Sequence, residues 1–82
     1  MGHEKKRFKS KEHRSPAEVG EFLLQLAARI AEGRVVLGQD QEELAWQLPE
    51  NVRLEVELEE EEKESRGRQY SLELEIKWHD PA

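Results

Sequence analysis

The chain has 82 residues, a formal net charge of −6 and no cysteine. This length predicts a single domain over residues 1–82, and the absence of cysteine excludes disulfides and thiolate metal sites. Charged residues make up 39% of the chain and hydrophobic residues 35%, a balance that favours disorder unless the apolar residues can be buried together. The N-terminal residues are charged and no apolar run approaches the ~20 residues of a membrane span. We therefore expect a cytoplasmic protein without a membrane segment.

The charge is distributed unevenly. Residues 1–14, here called the basic arm, contain six lysines and arginines against two glutamates, a local balance of +4 that leaves −10 for residues 15–82. An acidic body repels phosphate backbones, so nucleic acid is disfavoured as the main ligand. Weak nucleic-acid binding through the basic arm remains an alternative, and so does pairing of the arm with acidic residues of the same chain.

The first predicted element is a strand that begins near Lys6. Phe8 is the single large apolar residue between Lys5 and Glu12, and a strand would turn it inward. A disordered arm is the alternative, as for any charged terminus.

A helix is predicted to follow, with Ser15 as its cap, Pro16 in the first turn and Glu18 completing a capping box. Its apolar residues recur with the spacing of one helical face, and Gly33 is suited to end it in the left-handed conformation. Gly20 within the helix suggests a close approach to another element. The apolar stripe consists of Val19, Phe22, Leu23, Leu26 and Ile30.

Two hairpins are predicted after the helix. The shorter one comprises residues 34–37, a turn over residues 38–41, and residues 42–48, and a polar break at residues 49–51 ends it. The longer one runs from Val52 to Trp78, with an apolar residue at every even position of both arms and a hairpin tip over residues 59–67. Residues 1–5 and 80–82 are expected to be flexible.

These elements predict an α+β fold, in which one helix packs on an antiparallel sheet in the order β-α-β-β-β-β. The helical stripe and the even-numbered strand positions are the available apolar surfaces, so we expect them to meet. Five strands form a sheet at least ~20 Å wide, whereas one helix covers about 10 Å. An uncovered apolar margin would then suit a protein interface. The aromatic residues predicted to lie at this margin are Trp46, Tyr70 and Trp78. The alternative is that these three residues fill the core.

The chain resembles the amphi-Trp domain family, small prokaryotic proteins named for amphipathic strands and a tryptophan. The resemblance covers nearly the whole chain and rests on four stretches. It implies the fold described above but no established activity, cofactor or catalytic residue. Trp46 departs from the smaller β-branched residues expected in its strand. The four stretches are residues 14–18, 22–27, 48–57 and 72–78.

No motif indicates catalysis or a cofactor. The acidic residues lie on a predicted flat, solvent-facing ladder, whereas a carboxylate pair in catalysis needs two different environments. The three histidines lack metal-ligand spacing, and the acidic run 59–62 lacks the glycine turn and alternating ligands of a calcium loop. We therefore predict a non-enzyme without a metal site.

The charged face of the long hairpin is the main candidate site. If its turn centres near Glu64, Leu58 faces Tyr70 and Leu54 faces Leu74. In that register Arg53 opposes Glu75 favourably, whereas Glu55 opposes Glu73 with like charge. A neighbouring basic strand with Arg7, Lys9 and Lys11 could relieve the repulsion; otherwise the face could select a cationic partner. The candidate carboxylates are Glu55, Glu57, Glu73 and Glu75.

These observations favour a protein-interaction or self-association module that uses the acidic strand face and the aromatic margin. A small ligand binder or enzyme with a pocket between helix and sheet is the runner-up, and a deep cavity with converging polar groups would distinguish it.

Overall fold

The computed structural model describes residues 2–39 and 41–80 and contains one helix and four strands in this part of the chain. The chain forms two compact units, Met1–Leu48 and Pro49–Ala82, each with one two-stranded antiparallel sheet. The predicted α+β class is therefore confirmed, whereas the single domain and the packing of one helix on one sheet stay predictions. No helix in the described ranges is long and apolar enough to cross a membrane. The elements are α1 (Pro16–Ala31), β1 (Arg34–Gln39), β2 (Glu42–Gln47), β3 (Arg53–Lys63) and β4 (Gly67–Lys77).

The strand predicted to begin near Lys6 is wrong: residues 2–15 form neither helix nor strand, and the described residues hold four strands instead of five. Lysine is poorly suited to strands, and closely spaced like charges repel one another. Phe8 is nevertheless half-buried, and it borders a groove in the first unit together with Leu37 and Leu44. The predicted flexibility of residues 1, 81 and 82 falls outside the described residues, and that of residues 2–5 and 80 stays a prediction.

Helix α1 begins and ends as the sequence predicts. The Ser15 hydroxyl accepts a hydrogen bond from the Glu18 backbone N–H at 3.2 Å, and the Glu18 carboxylate accepts one from the Ser15 backbone N–H at 3.1 Å. This reciprocal pair is the predicted capping box. After the helix, Gly33 adopts φ 92°, a conformation that favours glycine, and its N–H donates to the Ile30 carbonyl at 2.9 Å.

The helix packs against β1 through part of its apolar stripe. Leu26 and Ile30 are half-buried, whereas Phe22 is 53% exposed and Leu24, on the flank of the stripe, is 69% exposed. The first unit therefore leaves part of its helical apolar surface open.

Gly20 provides a test of whether another surface approaches the helix. A Cβ built at Gly20 meets no atom within 4 Å in the described structure, contrary to the predicted close approach. We expect Gly20→Ala to raise the free energy of unfolding by about 1 kcal/mol, because alanine loses less backbone entropy in a helix. Urea denaturation followed by far-ultraviolet circular dichroism measures the change. A loss of stability would contradict the expectation and reveal a surface packed against this position.

The predicted shorter hairpin is confirmed as β1–β2. Val35 lies opposite Trp46 and Leu37 opposite Leu44, and the Leu48 N–H donates to the Gly33 carbonyl at 2.8 Å, which ties the end of the hairpin to the helix terminus. The predicted turn over residues 38–41 is shorter than expected, because β1 continues through Gln39 and β2 begins at Glu42. Asp40, which the prediction placed in this turn, lies outside the described residues.

The second unit is built on the β3–β4 hairpin. Each strand has 11 residues, and the ladder extends from the pair Arg53–Lys77 to the pair Lys63–Gly67. The predicted tip over residues 59–67 is therefore wrong, because residues 59–63 belong to β3. Residues 59–63 pair with residues 67–71 of β4, and the ladder continues until Gly67, at φ 76°, permits the turn.

Candidate interaction surface

One face of the β3–β4 hairpin is apolar along most of its length. The register places Leu54 opposite Ile76, and the next two rows of this face are also apolar pairs. Because side chains alternate between faces, these residues lie on the side opposite the odd-numbered glutamates. Leu58 is 82% exposed, the highest value among the exposed large hydrophobic residues of the described chain. We call this set the apolar face: Leu54, Val56, Leu58, Tyr70, Leu72, Leu74 and Ile76.

The charged face has a different register from the predicted one. Glu55 lies opposite Glu75 and Glu57 opposite Glu73, so the ladder contains two like-charge carboxylate pairs instead of one. The predicted pairing of Glu55 with Glu73 is wrong by two residues. The turn covers residues 64–66, with the Arg66 N–H donating to the Lys63 carbonyl at 3.3 Å, so its centre lies one residue beyond the predicted one.

This shift also corrects the other predicted pairs. Leu58 faces Leu72, Leu54 faces Ile76, and Arg53 faces Lys77, a like-charge pair where an attractive one was expected. Since a shift of two residues keeps every side chain on the same face, the predicted division into an apolar and a charged face is unaffected.

The repulsion at the base of the ladder is compensated within the hairpin. The Lys77 ammonium lies 3.6 Å from carboxylate oxygens of both Glu55 and Glu75, and Arg53 lies 3.7 Å from Glu55. The Glu55 Oε2 atom is buried and has no hydrogen-bond partner. Its negative charge is compensated by the ion pair with Lys77. Two cations and two carboxylates therefore form a neutral group.

The middle of the ladder differs from its base. One carboxylate oxygen from each of Glu57, Glu59 and Glu73 lies within 4.8 Å of the others, and we call these three residues the carboxylate cluster. Within the described hairpin no lysine or arginine forms an ion pair with any of them. All three side chains are exposed, so the cluster concentrates negative charge at the centre of the face.

Towards the turn the charged face has one more ion pair, because Lys63 lies 3.3 Å from Glu61. Arg68 donates a hydrogen bond to Glu60 at 3.3 Å, but these two residues lie at even positions on the opposite face. Exposed pairs of this kind contribute at most about 1 kcal/mol each. The Lys63–Glu61 pair is important here for electrostatics, because it leaves the carboxylate cluster as the uncompensated part of the charged face.

The three candidate aromatic residues occupy different places. Trp46 lies in β2 of the first unit and is 48% exposed. Tyr70 lies in β4 opposite Glu60 and is 69% exposed, whereas Trp78 follows β4 and is half-buried. Tyr70 and Trp78 are separated by eight strand positions, or ~27 Å. A single aromatic margin therefore stays a prediction.

Each unit contains a groove that borders apolar residues in the part of the chain that the structure describes. One, in the first unit, is lined by Arg7, Phe8 and the β1–β2 hairpin, and the other, in the second unit, is lined by residues 49–53 and 77–79. Neither groove contains a residue of α1. The helix–sheet pocket of the runner-up hypothesis thus stays a prediction.

Sequence reasoning identified Glu55, Glu57, Glu73 and Glu75 as one acidic ladder but missed its division. The neutral base and the uncompensated centre depend on which residues face one another across the strands. Glu59 was assigned to the hairpin tip, although its odd position continues the alternation of β3. That alternation could have predicted that Glu59 lies in β3 on the charged face.

The architecture defines the class of protein: a small α+β chain with one capped helix and a long amphipathic β-hairpin. The family model for the Amphi-Trp domain matches residues 1–82. The chain therefore belongs to the Amphi-Trp domain family, as its sequence motifs indicated. No curated protein and no solved structure gives a significant match.

Proposed function

We propose that the chain is a cytoplasmic, non-catalytic interaction module that docks a protein surface through the β3–β4 hairpin. The exposed apolar face of this hairpin carries the proposal. No side chain in the described part of the second unit is fully buried, and a lone two-stranded hairpin is marginally stable in water. Covering an apolar face of this extent with another surface is favourable, because each Å² removed from water lowers the free energy by about 25 cal/mol.

The carboxylate cluster supports a choice of partner. Because its three carboxylates lack cations within the hairpin, a lysine- or arginine-bearing surface would gain attraction without displacing an existing ion pair. The neutral groups on either side limit this attraction to the centre of the strand. The apolar face would thus contribute adhesion, and the carboxylate cluster would contribute selectivity.

The proposal predicts the outcome of charge removal. The variant Glu57→Gln/Glu59→Gln/Glu73→Gln keeps the side-chain shapes and removes three charges, and we expect at least a tenfold loss of affinity for a partner that co-purifies with the native chain. Titration of that isolated partner by calorimetry at 50 and 300 mM salt measures the loss. The difference between native and variant chains should shrink at the higher salt concentration, because ions screen exposed charges.

A matched control distinguishes the hairpin from general acidity. The variant Glu21→Gln/Glu43→Gln/Glu50→Gln removes the same charge from exposed positions outside the carboxylate cluster. We expect little change in the affinity of this control variant for the partner. Equal losses in both variants would mean that net charge alone governs binding and would remove the assigned role of the hairpin.

A further inference from the structure

The outer edge of β3 is open to another strand. β3 pairs with β4 along one edge, and the sheet of the second unit contains two strands in the described residues. The other edge therefore presents unpaired backbone N–H and C=O groups, which can pair with an extended segment of another chain. Six of the eleven β3 residues are glutamates, so a segment that pairs here should carry positive charge.

The chain itself carries a segment of this chemistry. Residues 5–11 include five cations and the apolar residue Phe8, and they form neither helix nor strand. In the described structure their backbone groups make no backbone–backbone hydrogen bond. All four odd positions of this segment are cationic, which is the complement of the odd-numbered glutamates of β3.

One antiparallel register matches every cation of this segment. With Phe8 opposite Leu58, the most exposed of the large hydrophobic residues that the structure describes, Ser10 lies opposite Val56. In this register the five opposite-charge pairs are Lys5–Glu61, Lys6–Glu60, Arg7–Glu59, Lys9–Glu57 and Lys11–Glu55. Opposite charges that face one another across strands stabilise the pairing.

Neighbouring registers match less well. With Phe8 opposite Val56, Lys11 faces Arg53 and Lys6 faces an apolar residue. With Phe8 opposite Glu60, the aromatic ring loses its apolar partner and Lys5 faces Lys63. A parallel arrangement with Phe8 opposite Leu58 places Lys6 opposite Val56. The pattern thus specifies both direction and alignment.

We propose that the chain self-associates by strand addition, with residues 5–11 of one copy pairing antiparallel to the outer edge of β3 of a second copy. This inference rests on the proposed function, because it names the partner of the hairpin. In every copy Arg7 and Phe8 border the groove of its own β1–β2 hairpin, so the arm must leave that groove to pair with β3. Pairing with β3 of the same chain is the competing outcome, and the cross-linking experiment below distinguishes it from pairing with a second copy. Each copy supplies one arm and one edge, which permits a closed, two-fold dimer.

Cysteine cross-linking tests this register directly, since the native chain has no cysteine. Ser10→Cys and Val56→Cys place thiols directly opposite each other, within the reach of a disulfide. An isotope-labelled Ser10→Cys chain is mixed with an unlabelled Val56→Cys chain and oxidised, and mass spectrometry counts the mixed dimers. The control replaces Val56→Cys with Leu72→Cys, which is on the same face but on β4. We expect at least tenfold more mixed dimer than in the control.

Sedimentation of the native chain provides a second measurement. Its average mass should rise towards twice 9.6 kDa with concentration and fall when salt is raised, because charge pairs are screened. A chain lacking residues 1–11 should stay at the monomer mass. Mixed dimers no more abundant than in the control would overturn the inference. Cross-linking of a Ser10→Cys/Val56→Cys double variant only within single chains would also overturn the inference.

Failure of this inference can be distinguished from failure of the proposed function. Suppose that the native chain is monomeric, but that the variant Glu57→Gln/Glu59→Gln/Glu73→Gln no longer binds a co-purifying protein. The partner is then a different protein and not a second copy, and the hairpin remains an interaction surface. If that variant changes neither self-association nor partner binding, both the inference and the proposed function fail.

Discussion

Gly38→Ala is expected to destabilise the first unit by about 3 kcal/mol, the upper end of the usual cost of overpacking. Gly38 lies opposite Glu43 in the β1–β2 ladder. A Cβ at this position would lie 2.7 Å from the Glu43 Cα atom and would also overlap the Glu42 backbone carbonyl oxygen. These are backbone atoms of the paired strand, so they cannot move aside as the end of a flexible side chain could. The hairpin must open or shift to accommodate even one methyl group.

The two tryptophans allow this effect to be measured locally. In a Trp78→Phe background Trp46, which lies in β2, is the sole tryptophan and reports on the first unit. Urea denaturation followed by its fluorescence gives the free energy of unfolding with and without Gly38→Ala. Gly20→Ala in the same background is the matched control, because a Cβ there meets no atom within 4 Å. Similar stability for Gly38→Ala and its parent would contradict the tight approach of the two strands.

Leu74→Asp is expected to abolish docking on the apolar face while leaving the unbound chain nearly unchanged. Leu74 is 54% exposed and lies opposite Val56 in the middle of this face. A partner that covers it would bury an unpaired carboxylate, at a cost of about 3 kcal/mol or more. That cost corresponds to a loss of affinity of roughly 100-fold. In the unbound chain the carboxylate stays in water, so the free energy of unfolding should change by about 0.5 kcal/mol or less.

The matched control is Gln69→Asp, which adds the same charge to β4 on the opposite face. Calorimetric titration of the co-purifying partner measures association, and urea denaturation measures stability. The expected pattern is lost association for Leu74→Asp alone, with little change in stability for either variant. Unchanged association of Leu74→Asp would show that the apolar face is not covered in the complex.

Local sequence patterns predicted much of the secondary structure because local forces determine it. The Ser15-Pro16-Ala17-Glu18 stretch contains the groups needed to cap a helix, so its start was predictable without knowledge of any distant contact. Alternation of apolar and charged residues along 52–78 similarly predicted two strands and their two faces. The same reasoning failed for residues 6–12, because closely spaced lysines and arginines disfavour a strand unless acidic residues lie beside it.

The sequence by itself determined the capped helix, the two hairpins and the separation of apolar from acidic side chains, since each depends on neighbours a few positions apart. Only the tertiary structure decided which glutamates face each other, because a turn centred one residue further along shifts the whole ladder by two. That shift places Glu55 and Glu75 beside the compensating Lys77, and Glu57 and Glu73 in the uncompensated cluster. The charge of the face follows from composition, but its concentration at the centre follows from pairing across the strands.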